Sequence, residues 1–212
     1  MWARFKNGFR KEHLYWVPPA IFVNTQVVTI TNVRGRSMQP TFNPDSNQLF
    51  SDVVLLDRAS TSPWITWYGQ YFGIWRPKFE RGDVIVLRSP DDPTKRIIKR
   101  IVATEYEVVK TLPPHPDPVV QVPQGHVWVE GDEPFHSKDS NYFGPASLGL
   151  VEGKIKGIVW PPSRIGPVPS PPPARTAKRV FKGWPGMSER IGKQAGGSPG
   201  VIVYGDSLDK NP

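Results

Sequence analysis

Cysteine is absent from the 212 residues. Disulfides, a thiol nucleophile and thiolate metal sites are thereby excluded, and the redox compartment stays open. Histidine is scarce: His13, His115, His126 and His136 show no metal-ligand spacing, and none has a suitable acidic residue nearby to orient it. No metal and no cofactor is therefore expected. A basic motif interleaved with aromatics is missing too, so nucleic acid is not an expected partner. Between residues 34 and 165 no amphipathic run is long enough for a confident helix, and no internal repeat is present.

What is present is a basic chain, with net charge +8 and an isoelectric point of about 9.8. Its length suits one full domain with appendages, or two small domains. The charge gathers at the ends. Residues 1–13 carry four Lys/Arg and one Glu, and residues 166–212 carry seven Lys/Arg and three Asp/Glu.

The segment Leu14–Val33 holds no formal charge over twenty residues. As a helix it would be about 30 Å long, enough to cross a bilayer core. Asn24, Gln26 and three threonines dilute it, and Pro18 and Pro19 suit only a helix start. A membrane anchor is the expectation; an amphipathic or extended lead-in strand is the alternative. The basic segment 1–13 before it places the N-terminus on the negative side of the membrane and the remaining chain on the other. No small-residue cleavage pattern follows, which argues against a signal peptide. The basic start also suits mitochondrial targeting, although it lacks serine.

Short apolar runs then alternate with turn residues, the pattern of a mainly β fold. Val53–Leu56, Val84–Leu87, Ile97–Val102, Tyr106–Val109, Val127–Val129 and Ile155–Val159 read as strands. An insert at about 57–80 interrupts them with Trp64, Trp67, Tyr68, Tyr71, Phe72 and Trp75. It reads as a lid or hairpin burying its own aromatics, or else as a flap for a membrane interface or a partner. Residues 166–212 are rich in Pro, Gly, Ser and Lys/Arg. Such a composition buries too little apolar surface to offset its ordering entropy, so a disordered tail is expected.

Three segments carry candidate chemistry. Gly35-Arg36-Ser37-Met38-Gln39-Pro40-Thr41 offers a hydroxyl on a loop that Gly35 and Pro40 shape. In the strand Ile97–Val102, Lys99 shares a face with Ile97 and Ile101, and Arg100 lies opposite with Ile98 and Val102. Both faces are otherwise apolar, so at least one of these cations is desolvated. A serine needs a base to take its proton, and a lysine serves only if burial lowers its pKa. Lowering it from near 10.4 to neutrality requires roughly 4 kcal/mol of differential solvation. The bland alternative for Lys99 is snorkelling, or pairing with Asp139, Asp132 or Glu105. The third segment, Gly131–Pro145, is dense in Gly, Pro and small polar residues; Ser137 and Asp139 project from the same side of it.

Together these segments resemble the type I signal peptidase family. The resemblance runs in order through Ser37–Thr41, Arg81–Val84, Lys99–Val102 and Gly131–Pro145, and covers about residues 34–165. Gln39, Asn43-Pro44, the run VWVEG at Val127–Gly131 and FGPASLGL at Phe143–Leu150 bring it nearest to the mitochondrial inner membrane members. It implies an antiparallel β-sheet catalytic domain over 34–165, an N-terminal anchor over 14–33, and a Ser37/Lys99 dyad. Ser137 matches the position whose hydroxyl helps orient the lysine, and Asp139 a structural carboxylate near the site. The family's usual basic partner two residues after that Asp is Asn141 here, so that Asp–Arg pair cannot form. Gly35 stands where many bacterial members have an oxyanion-hole serine, which shifts that task to backbone N–H groups such as that of Ser37. Arg81, Gly82 and Asp83 match a motif read as a turn leading into a strand.

The implied reaction is endopeptidase cleavage of presequences or sorting signals from precursor polypeptides delivered to the mitochondrial intermembrane space. The implied place is the inner membrane, crossed once, with the catalytic domain facing that space. A second, homologous peptidase subunit is an implied partner. The competing readings are a self-cleaving repressor-type Ser/Lys protease and a β-rich assembly subunit without activity. About 33 residues before the serine loop leave no room for the former's DNA-binding domain; the presence of both Ser37 and Lys99 argues against the latter.

Overall fold

The computed structural model describes residues 15–44, 51–62, 67–69, 71–72, 79–133, 135–169 and 179–183. The chain enters through a short helix, α1 (Val17–Phe22), and one wide helical turn over Val23–Val27. Eleven strands follow among the described residues: β1 (Val28–Asn32), β2 (Val53–Asp57), β3 (Val84–Arg88), β4 (Arg96–Ala103), β5 (Val108–Lys110), β6 (Val119–Gln121), β7 (His126–Glu130), β8 (Ala146–Ser147), β9 (Val151–Trp160), β10 (Gly166–Pro167) and β11 (Val180–Phe181). A second short helix, α2 (Ser140–Phe143), lies between β7 and β8.

The main sheet runs β1-β2-β9-β3-β4-β7-β8, with β10 on β9; a smaller sheet runs β11-β5-β6. Every pairing is antiparallel. The mainly β expectation therefore holds. Strand alternation sorts the side chains of the main sheet into two apolar layers. Val54, Leu56, Val84, Val86, Ile155 and Ile158 form one layer with Val33, Met38 and Phe42 from the loop after β1. Ile85, Leu87, Ile101, Val127, Val129 and Val151 form the other. A third cluster, around the fully buried Trp128, joins β4 and β7 to the smaller sheet.

Four expectations are corrected. The anchor over 14–33 does not form one helix: α1 is six residues long, and Val28–Asn32 pairs with β2. A run of β-branched residues from Val27 to Thr31 fits a pleated strand better than a helix. No helix among the described residues is long and apolar enough to cross a membrane. Segment 1–13 and Leu14 lie outside the described residues. The strand expected at Tyr106 begins at Val108, because Tyr106 adopts φ +67° in a turn.

In the insert, Trp67 stacks on Tyr71 and meets Tyr68 edge-on, as Tyr71 meets Phe72, at centroid distances of 4.9–5.9 Å, yet all four are exposed. They do not bury themselves as a closed lid would. Trp64 and Trp75 lie outside the described residues. The expected tail contributes β10 and β11 to the two sheets, so 166–212 is not structureless throughout. Residues 170–178 and 184–212 lie outside the described residues.

Candidate active site

Ser37 sits half-buried on the turn that follows β1. Gly35 takes φ +91°, a conformation strained for any side-chain-bearing residue, and so turns the chain before the serine. On either side the loop is nailed down. Met38 and Phe42 are buried in the core, and the Phe42 N–H donates to the Met38 carbonyl at 2.9 Å. Asn43 closes the exit: its Nδ2 donates to the Val33 carbonyl at 2.9 Å, and its Oδ1 accepts the Asp52 N–H at 2.7 Å. Arg164 pairs with Asp52 and donates to the Thr41 carbonyl at 2.8 Å. The small polar hydroxyl is thus carried on a backbone with little freedom to drift.

Lys99 lies in the middle of β4, opposite Ile85 of β3. It is 2% exposed. Burial pushes its ammonium pKa down from 10.5 to about 8, while the negative charges of Asp139 and Asp132 hold it up. A large neutral fraction near pH 8 is what a lysine base requires. Its neighbour Arg100, on the other face of the strand, is buried as well. Arg100 forms a two-point ion pair with Asp132, Nε–Oδ1 2.9 Å and Nη2–Oδ2 2.7 Å, and donates to the Gly82 carbonyl at 2.9 Å. Lys99 and Arg100 are both desolvated, but of the two only Arg100 is neutralised by a two-point carboxylate contact.

The loop after β7 joins these two pieces. Asp132 also accepts the Thr41 hydroxyl at 2.5 Å, tying the end of the serine loop to Arg100. The Ser37 carbonyl accepts the Glu133 N–H at 3.1 Å. At Gly131 the approach is so close that a Cβ would stand 2.5 Å from the Ser37 carbonyl oxygen and 2.3 Å from the Ser137 Oγ. Ser37, Gly131 and Ser137 are therefore immediate neighbours. The Ser137 Oγ is buried with no hydrogen-bond partner among the described residues. An unpaired buried hydroxyl is costly, and one facing a reaction centre is a stored donor or acceptor.

Asp139 ends the loop and caps α2. Its Oδ1 accepts the backbone and side-chain N–H groups of Asn141 at 3.1 and 3.0 Å, and its Oδ2 accepts the Gly131 N–H at 3.1 Å. Amides hold this carboxylate, in agreement with the exclusion of an arginine at position 141. Ser140 bonds the Val129 N–H at 2.9 Å and keeps α2 against β7.

Of the residues singled out from the sequence, Ser37, Ser137 and Asp139 thus meet around Gly131 just past the end of β7, Lys99 lies on the adjoining middle of β4 within range of the Asp139 charge, and Gly35 shapes the turn before Ser37. Glu105 does not pair with Lys99; its carboxylate accepts the Gly125 N–H. The turn expected at Arg81–Asp83 is present and structural: Arg81 binds Glu107 at 2.6 and 2.7 Å, and Asp83 pairs with Lys154 at 2.6 Å. Sequence reasoning gave no site role to Thr41, Arg100, Asp132, Glu130, Asn141 and Arg179. The apolar surroundings of Arg100 were the one signal that it needs a buried carboxylate. Among the described residues no cluster of ligands could hold a metal ion.

Comparison with known proteins bears on the family. The model of the family described as signal peptidase, peptidase S26, matches residues 10–111 and 107–160. Mitochondrial inner membrane protease subunit 2 of Schizosaccharomyces pombe is 46% identical over 165 residues, covering 76% of this chain and 83% of the relative. The subunit of the same name from Saccharomyces cerevisiae is 45% identical over 152 residues, 71% of this chain and 78% of its own length. That of Mus musculus is 43% identical over 165 residues, 77% of this chain and 85% of its own. On this match and these identities, the chain belongs to the signal peptidase family, peptidase S26.

Proposed function

We propose that this chain is a serine endopeptidase of the mitochondrial inner membrane that removes presequences or sorting signals with a Ser37/Lys99 dyad. The observation that carries the reading is Lys99, buried in the sheet with its pKa lowered to about 8 and flanked by the loop that also binds the Ser37 carbonyl. Neutral Lys99 takes the Ser37 proton, and the Ser37 Oγ attacks the scissile carbonyl to give a tetrahedral oxyanion. Backbone N–H groups, that of Ser37 among them, stabilise the negative oxygen. The lysinium then protonates the leaving amine. The Lys99 amine, neutral again, takes a proton from the water that attacks the acyl carbonyl and returns it to the Ser37 Oγ as the carbon–oxygen bond breaks. In this reading the Ser137 hydroxyl, unpartnered among the described residues, turns to the Lys99 amine during the reaction, and Asp139 holds the loop around it.

The relatives' names support the membrane and a multi-subunit setting; the partner in this reading is a second, homologous subunit. The exposed apolar side chains of Tyr15, Trp16, Ile21, Phe22 and Val23 support membrane attachment through the segment before β1. In this reading the chain crosses once ahead of Val28, and the catalytic domain faces the intermembrane space.

The test uses cells whose only copy is wild type or Ser37→Ala. Intermembrane-space proteins with bipartite presequences are followed by gel mobility. Intermediate-length precursors are expected to accumulate at normal levels of the Ala protein. Unchanged maturation would overturn the role of Ser37 for those substrates.

A further inference from the structure

Glu130, the last residue of β7, is 2% exposed and carries an ion pair that the dyad does not use. Its Oε2 accepts from Arg179 at 2.7 Å. Its Oε1 accepts from Trp128 Nε1 at 3.0 Å, from Asn141 Nδ2 at 3.2 Å and from Arg179 Nη1 at 3.3 Å. Asn141 is the residue that grips Asp139 through two N–H groups, and its own Oδ1 accepts the Leu112 N–H at 2.8 Å. Asp139 in turn holds the Gly131 N–H, beside the Ser37 carbonyl and Ser137. One line of contacts thus runs Arg179, Glu130, Asn141, Asp139, Gly131.

Arg179 reaches this point from beyond residue 160, where the family match ends. It is delivered by β11: Val180 and Phe181 pair with Val109 and Val108. The Lys110 N–H donates to the Arg179 carbonyl at 2.8 Å, and Val180 packs on the cluster around Trp128. The side chain of Arg179 is only 15% exposed. A buried carboxylate without a partner bears a large desolvation cost, and an apolar pair is often as stable as a buried ion pair. Stability alone therefore gives no reason for a charged anchor here. A carboxylate does offer what an apolar residue cannot: acceptors for Trp128 and Asn141 together.

We propose that Arg179 is a positioning residue for the peptidase reaction, acting from the C-terminal segment by neutralising Glu130 so that Glu130 can fix Asn141 and, through it, Asp139. The inference rests on the Ser37/Lys99 reading. Removing the guanidinium leaves Glu130 as an unpaired anion that shares the Asn141 amide with the Asp139 carboxylate. The two anions repel, and the loop that carries Ser137 and touches Ser37 loses its register. The disturbance is confined to the loop beside Ser37 and Ser137 and leaves the sheet pairings in place, so the effect falls on turnover.

The experiment uses the full-length chain in the solubilised membrane peptidase complex, assayed with a fluorogenic presequence peptide well below the thermal midpoint. Arg179→Met is expected to lower kcat at least thirtyfold with KM within twofold of wild type. Arg179→Lys recovers part of the loss. The pair Glu130→Gln with Arg179→Met gains at least tenfold over Arg179→Met, because a neutral amide oxygen still accepts from Asn141. An Arg179→Met kcat within twofold of wild type overturns the proposal. Should the single variant fail to fold, two charge-free pairs decide. Glu130→Gln with Arg179→Met is expected to turn over at least tenfold faster than Glu130→Leu with Arg179→Met, and equal rates overturn the proposal. Ser37→Ala in the same assay separates the two claims: activity retained there sinks the dyad, whereas an inactive Ser37→Ala beside equal pairs sinks only Arg179.

Discussion

Arg100 and Asp132 lock the lysine strand to the loop after β7: their side chains meet at 2.9 and 2.7 Å, and both are buried. Thr41 completes the lock through its hydroxyl on Asp132. Removing one member strands a buried charge, which costs about 3–5 kcal/mol. Arg100→Met or Asp132→Asn is therefore expected to lower the thermal midpoint by roughly 6–20 °C in a chain of this size. Calorimetry checks it. The pair Arg100→Met with Asp132→Leu, with no charge left to strand, is expected to regain much of the loss.

The pH dependence follows from Lys99. Its pKa lies at about 8, below the ordinary 10.5, because burial disfavours the ammonium more than Asp139 and Asp132 favour it. Only the neutral amine accepts the serine proton, so kcat/KM climbs about tenfold per pH unit below that value and levels above it. Asp139→Asn removes one charge that holds the ammonium. The acid limb should then move to lower pH, whatever happens to the plateau. A limb that moves up, or stays fixed, contradicts the electrostatic account.

Ser137 separates stability from activity. Its hydroxyl is buried without a partner among the described residues. Replacing it by Ala removes an unsatisfied group, so the thermal midpoint should hold or rise slightly. The rate should nonetheless drop about a hundredfold, the lower end of the range for a positioned proton-transfer group. Equal losses in both would mean the serine is merely structural.

Gly131 tests the close approach. Its missing Cβ would stand 2.5 Å from the Ser37 carbonyl oxygen and 2.7 Å from the Ser137 Cβ, and neither can swing aside. Gly131→Ala should push the two loops apart, costing about 1–3 kcal/mol of stability. Turnover should fall by a factor of 100 or so, as expected when reacting groups are misplaced by about 1 Å.

The sequence made the alternation of β2, β3, β4, β7 and β9 legible because each has an apolar run between turn residues. It exposed Lys99 for the same reason, as a cation in an otherwise apolar strand. β1 stood only as the alternative: the charge-free stretch around it is as long as a membrane span, and its pairing with β2 shows where helix gives way to the extended lead-in strand. β10 and β11 are two residues each, too short for any periodicity, and are fixed by their neighbours in the sheets. The contact of Arg179 with Glu130 spans 49 positions in a region whose composition reads as unstructured, so no local pattern could announce it. Asp132 and Thr41, likewise, are ordinary polar residues until the fold brings Arg100 between them.

The central claim is that Ser37 carries the acyl group and Lys99 activates it. Its most direct measurement quenches turnover of a presequence-derived peptide ester in acid at pH 8 starting conditions, and maps the acyl group by mass spectrometry. The account predicts the added mass on Ser37 in the wild-type chain and its loss in Lys99→Met. An acyl group on any other residue, or undiminished acylation of Ser37 in Lys99→Met, would contradict it.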